Sequence, residues 1–188
     1  EMVRAAISPR TKAIIAVHLY GHPCDMDELA QISDESGIFL IEDCAQAHGA
    51  KWKNRKVGTF GVMGCFSFYP TKNLGAIGDG GAIVSNDFTL VEKMRSLRQY
   101  GWDSSRNSQL LNGVSRLDEI QAAILRVRLK ALDDQNIKRL KIAMEYRSEL
   151  NDARIFLPKS RLEIHHVYHL FVVRSSQRES LIESLNQR

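Results

Sequence analysis

Short β-prone apolar runs alternate with helix-spaced segments through the first half of this chain. That alternation limits what it can fold into. Residues 12–19 (KAIIAVHL), 38–41, 62–69 and 81–85 read as strands. Residues 26–36 carry Met26, Leu29, Ala30 and Ile32 on one helical face, with Asp25 placed as N-cap and Gly37 as the terminating glycine. Residues 88–100 repeat the helical pattern, with Asn86 or Asp87 capping. Strand–helix alternation of this kind specifies an α/β layered domain with a mainly parallel sheet.

The later part is more helical. The spacing predicts one long helix over 117–134, opened by Ser115 with Asp118 and Glu119 in its first turn, and a second over 136–150. Pro158 interrupts the pattern; 166–173 alternates like a strand, and 177–186 returns to helix. The expected organisation is a large domain over 1–150 and the beginning of a small α+β domain over 151–188.

Ligands of open α/β sheets sit at the carboxyl ends of the strands. Three polar clusters fall there, at 18–21, 43–49 and 67–73. The third holds Lys72, between the proline that ends an apolar strand and a loop with four glycines at 75, 78, 80 and 81. An amine held just off a buried strand suits covalent chemistry with a carbonyl. Asp43 ends the second strand. Alone it reads as a turn cap, but beside a lysine it has a specific alternative. Pyridoxal phosphate needs a lysine for its aldehyde and a carboxylate for its pyridinium nitrogen. Gln46 is placed to bond the ring oxygen or to fill a turn. Ala45 is small enough to lie against a flat ring. Ser67 is placed to bond the cofactor phosphate or to satisfy backbone inside the sheet.

Composition narrows the rest. The chain of 188 residues is 44% hydrophobic and 26% charged, with net charge +4. No apolar run approaches the ~20 residues of a membrane-spanning helix. Basic residues at 126–130 and 138–141 have no interleaved aromatics, so they read as solvated helix faces and not as a nucleic-acid site. Cys24, Cys44 and Cys65 form no CxxC pair, which disfavours zinc or a disulfide framework and suits a reducing cytoplasm. Neither GxxxxGK[ST] nor GxGxxG after a strand occurs. His165, His166 and His169 are expected to lie on a strand, which spaces them poorly for a metal.

Four stretches carry a family resemblance: VHLYGHPCDMDEL (17–29), IEDCAQAHGA (41–50), FSFYPTKNLGAIGDGGAIVSND (66–87) and SRLDEIQAAIL (115–125). In this order and spacing they resemble the DegT/DnrJ/EryC1/StrS pyridoxal-phosphate sugar aminotransferases. The resemblance implies an aspartate-aminotransferase-like (fold type I) domain, usually a homodimer with active sites built from both subunits. It implies Lys72 as the Schiff-base lysine, Asp43 as partner of the pyridine nitrogen, Gln46 near the ring hydroxyl and Ser67 as a phosphate ligand. It also implies transfer of an amino group, commonly from glutamate, to a keto group of a nucleotide-linked deoxy-sugar, as in amino-sugar and polysaccharide biosynthesis. RQYGW (98–102) is most like members that make amino-deoxy sugars. Two departures stand out. The asparagine that reaches the neighbouring subunit's phosphate in the family is Val114 here, with Asn112 two residues earlier. The family's N-terminal phosphate loop and stacking aromatic have no counterpart in these residues, so the chain reads as a fragment of a longer protein. A sugar dehydratase of the same family would carry histidine in place of Lys72. A non-catalytic sensor or scaffold is the other alternative, and Val114 leans toward it.

Overall fold

The computed structural model describes residues 1–111, 113–159 and 161–187. In chain order the elements are α1 (Met2–Ala6), β1 (Ala13–Val17), α2 (Met26–Ser36), β2 (Phe39–Asp43), β3 (Lys51–Trp52), β4 (Arg55–Lys56), β5 (Met63–Ser67), β6 (Gly81–Val84), α3 (Phe88–Leu97), α4 (Glu119–Leu129), α5 (Leu132–Glu149), β7 (Ile155–Phe156), β8 (Ile164–His165), β9 (Arg174–Ser175) and α6 (Arg178–Asn186). The main sheet has the order β1-β2-β5-β6. Strands β1, β2 and β5 are parallel, and β6 closes the edge antiparallel to β5.

Helix α2 forms where its pattern indicates. Asp25 accepts the Glu28 amide as N-cap, and Gly37 ends the helix at φ 60°. It covers one sheet face: Met26, Leu29 and Ala30 pack with Ile14, Ala16, Leu40, Trp52 and Phe60. Full burial of a side chain such as Met26 stabilises by about 1.5–3 kcal/mol. The opposite face carries Ile15, Val17, Phe39 and Ile83, which are exposed. Asp43 and Ser67 lie on that open face. Asp43 is in register with both Val17 and Cys65, and Ser67 follows Cys65 by two along β5.

Three expectations are corrected. The long helix over 117–134 is two helices, broken at Lys130 and Ala131, where Ala131 takes φ −101° and ψ 0°. Its N-cap position is Asp118, whose side chain makes no capping hydrogen bond, and not Ser115; α5 begins at Leu132, not at residue 136. The break turns Leu125 and Leu132 together onto Leu74 and Ala76 of the lysine loop. Residues 166–173 form no strand: β8 ends at His165, and Tyr168 has φ 44°. This segment instead inserts Val167 into a core with Cys44, Ala47, Ala50 and Val57. Helix α3 stops at Leu97, short of residue 100, with Asp87 as its cap.

Candidate active site

The three polar clusters come together because β1, β2 and β5 run parallel, so their carboxyl ends share one edge of the sheet. Each side chain there is held by the backbone around it. Asp43 accepts the Ala45 amide at 3.0 Å on Oδ1, and Oδ2 has no hydrogen bond to a described residue. Gln46 accepts the Tyr20 amide at 2.6 Å on Oε1, which leaves its Nε2 free to donate. Tyr20 has φ 61°. Next to it Gly21 has φ 88°, and a Cβ there would lie 2.7 Å from Val167 Cγ2 and 2.9 Å from the Gln46 carbonyl. Glycine is therefore required where these loops meet. Ser67 Oγ accepts the Tyr69 amide at 3.3 Å and keeps its hydroxyl proton to donate.

Lys72 is half-buried, its amide bonded to the Tyr69 carbonyl at 2.9 Å. Its Nζ makes no hydrogen bond or ion pair with a described residue. The loop around it is firmly held. Phe68 exchanges backbone bonds with Gly80 and Ala76. Arg128 donates to the Gly75 carbonyl, and Gln121 accepts the Ile77 amide at 3.0 Å. Asn73, the next residue after the lysine, donates to Asn136 Oδ1 at 2.9 Å and to the Val167 carbonyl at 3.0 Å. Asn136 in turn donates to the His48 carbonyl at 2.9 Å. Through these bonds the Lys72 loop is tied to the loop that follows Asp43.

Two buried groups shape the electrostatics. Glu42 is fully buried beside Asp43; burial alone would raise its pKa. His18 at 3.1 Å and the amides of Gly58, Phe60 and Gly61 outweigh that and hold it below the usual carboxylate range. His48 lies between Phe66 and Phe68, and neither ring nitrogen has a hydrogen-bond partner. Burial lowers its pKa to about 4, and the charges of His169 and Lys72 add to the effect. The Ser67 carbonyl opposes it without reaching hydrogen-bond geometry.

His18, Glu42 and Cys44 bring one potential metal-ligating atom each within 4.8 Å of one another. Their bonding argues for a structural tie. The Cys24 amide donates to His18 Nδ1, so Nε2 carries the proton toward Glu42, whose oxygens are already taken. The three C-terminal histidines diverge. His165 pairs with Lys51 across the β3–β8 ladder, His166 stacks on Tyr168, and His169 bonds Asn73.

The sequence profile of the DegT/DnrJ/EryC1/StrS aminotransferase family matches residues 1–188. The chain belongs to that family. It is 46% identical over 188 residues to the dTDP-3-amino-3,4,6-trideoxy-alpha-D-glucose transaminase of Streptomyces venezuelae, covering 100% of this chain and 50% of that protein. It is 48% identical over 181 residues to the erythromycin biosynthesis sensory transduction protein EryC1 of Saccharopolyspora erythraea, covering 96% of this chain and 50% of that protein. The X-ray structure of S. venezuelae DesV in complex with a ketimine intermediate superposes with a TM-score of 0.95 at 47% identity, over 99% of this chain and 50% of that one. The chain thus spans about half the length of the curated family members it matches. Membership and the superposition confirm the α/β, fold type I architecture.

Lys72, Asp43, Ala45, Gln46 and Ser67 all fall at the carboxyl edge of the sheet, and Asp43 and Ser67 share a face. Asn112 lies outside the described residues. Val114 is exposed and pairs with Gln99 in a short antiparallel bridge. Sequence reasoning missed Asn73, Asn136 and His48, and weighed His169 only as a metal ligand. One signal was present: Asn136 sits on the same stripe of α5 as the buried Leu132 and Ala143, where an apolar residue is expected.

Proposed function

We propose that the whole protein containing this chain is a transaminase that moves an amino group, from glutamate, to a keto group on a nucleotide-linked deoxy-sugar. The observation that carries this reading is that an unengaged Lys72 amine and an Asp43 carboxylate with one oxygen free stand on loops fastened to each other. The donor set fits pyridoxal phosphate: an amine, a carboxylate with a free oxygen, a free amide Nε2 on Gln46 and a hydroxyl on Ser67. That cofactor, when bound, supplies the carbonyl that takes up the amino group and the ring that accepts the electrons of a broken Cα–H bond.

The chain's own residues do the rest. Lys72 would hold the cofactor, and its amine, once released, would serve as general base and acid for the substrate Cα proton. Asp43 would hold the pyridine nitrogen in its protonated form. Gln46 Nε2 would donate to the ring oxygen and the Ser67 hydroxyl to a phosphate oxygen, and Ala45 would leave room for the flat ring.

In this reading 1–150 is the large cofactor domain and 151–188 begins the small one. The active protein is a cytoplasmic homodimer with active sites built from both subunits. Ile15, Val17 and Phe39 on the open sheet face support a site whose remaining walls come from outside this chain. Among the described residues no helix is long and apolar enough to cross a membrane.

The test is a half-reaction. Complete protein loaded with pyridoxal phosphate is mixed with glutamate, and 2-oxoglutarate is measured. One equivalent per site, followed by amination of a nucleotide-linked keto-sugar, is expected. Cofactor binding with no 2-oxoglutarate would instead favour the sensor reading, which the 48% identity to a protein named for sensory transduction makes worth separating.

A further inference from the structure

The hydrogen bonds around Asn73 have only one consistent direction. The His48 carbonyl can only accept, so Asn136 turns its amide nitrogen toward it, at 2.9 Å. Asn136 Oδ1 therefore faces Asn73 and accepts from Asn73 Nδ2 at 2.9 Å. The Val167 carbonyl, also an acceptor only, takes the second bond from the same nitrogen at 3.0 Å. Asn73 Oδ1 is left for His169, whose Nδ1 lies 3.1 Å away. An amide oxygen cannot donate, so Nδ1 of His169 must carry a proton. Nε2 then holds a lone pair, with no hydrogen-bond partner among the described residues.

The same network is braced from α5. Arg139, one turn along from Asn136, donates to the Tyr168 and His169 carbonyls at 3.2 and 3.3 Å. One face of one helix thus holds the residue after Lys72, the loop after Asp43 and the backbone of His169. Burial lowers the pKa of His169, which favours its neutral form, and the charges of Lys72 and Arg139 act in the same direction.

Resting on the transaminase reading, we propose that Asn73 and Asn136 are positioning residues for Lys72: they fix its loop relative to Asp43 and hold His169 as the Nδ1–H tautomer, leaving its Nε2 an acceptor. Neither asparagine is assigned contact with substrate. Their effect passes through Lys72 and His169.

The experiment is nitrogen NMR of the complete protein with labelled histidine, His169 being assigned by its loss in His169→Gln, with pyridoxal-phosphate affinity measured in parallel. The wild type is expected to show a protonated Nδ1 and an unprotonated Nε2 at His169. Asn73→Ala should convert this to a mixture of tautomers. Asn73→Ala and Asn136→Ala should each weaken cofactor binding about tenfold, the effect of losing a hydrogen bond from a buried network. A wild-type His169 protonated on Nε2 overturns the proposal whatever the variants do. So does a folded Asn73→Ala protein with unchanged tautomer and affinity. Should Asn73→Ala fail to fold, the wild-type spectrum and the Asn136→Ala affinity decide. Because the tautomer is read without cofactor, a protein that binds none refutes the transaminase reading and leaves the tautomer assignment to its own result.

Discussion

His18 donates its Nε2 proton to Glu42 at 3.1 Å, and both side chains are fully buried. The bond joins the carboxyl end of β1 to that of β2, one residue before Asp43. Three amides, those of Gly58, Phe60 and Gly61, close on the same carboxylate. The 58–61 loop is pressed so tightly that a Cβ on Gly61 would lie 2.3 Å from the Leu40 carbonyl. Glu42→Ala should therefore cost about 3–5 kcal/mol, since it strands His18 and all these donors. Chemical denaturation of the complete protein measures this. A loss below about 1 kcal/mol would show that the tie does not hold the strand ends.

Acid should weaken the fold well before ordinary carboxylates titrate. His48 and His166 are held down to about 4, chiefly by burial, whereas an unfolded histidine titrates near 6.5. Between these values the unfolded chain binds more protons, so stability falls as pH drops through that window. Glu42 acts in the same sense lower down, because its folded carboxyl is below its ordinary value of 4.5. The expected loss from pH 7 to pH 5 is about 2–4 kcal/mol. His48→Phe should remove part of that slope. A flat stability profile over the same range would contradict the buried, neutral assignment.

Gly21 lies where the Tyr20 turn, the Gln46 carbonyl and Val167 converge. Gly21→Ala should destabilise by about 1–3 kcal/mol through both its positive φ and the lack of space. It should also loosen Gln46, whose Oε1 is held by the Tyr20 amide. Thermal unfolding together with cofactor affinity checks this, and a neutral substitution would mean the three loops do not meet so closely.

Asp43→Asn keeps the size of the side chain and an oxygen for the Ala45 amide but removes the charge. Turnover should fall about 10²-fold or more, with stability changed by no more than about 1 kcal/mol. Steady-state kinetics on the complete protein tests it. Unchanged turnover would mean that Asp43 only caps its turn.

Much of this fold was legible because its signals are local. Asp25 and Gly37 mark α2 at both ends, and the β-prone runs at 12–19, 38–41 and 62–69 became β1, β2 and β5. The break between α4 and α5 was hidden because Lys130 and Ala131 are good helix formers and Leu129 and Leu132 keep the period across it. Packing of Leu125 and Leu132 beneath the lysine loop decides that turn. Residues 166–173 alternate like a strand, but their polar members are drawn to distant partners. Asn73 takes the Val167 carbonyl and the His169 ring, and Arg139 takes the Tyr168 and His169 carbonyls. Lys72 and Asp43 stood out as charged residues at strand ends. The asparagines that connect their loops did not, because hydrogen bonds across 63 and 88 residues leave no periodic trace.

The central claim is that Lys72 is the residue to which the cofactor attaches. Complete protein loaded with pyridoxal phosphate is reduced with borohydride, digested and mapped by mass spectrometry. A cofactor adduct on the peptide containing Lys72, absent from Lys72→Ala, is expected. An adduct on another lysine, or none in protein that has bound the cofactor, would contradict it.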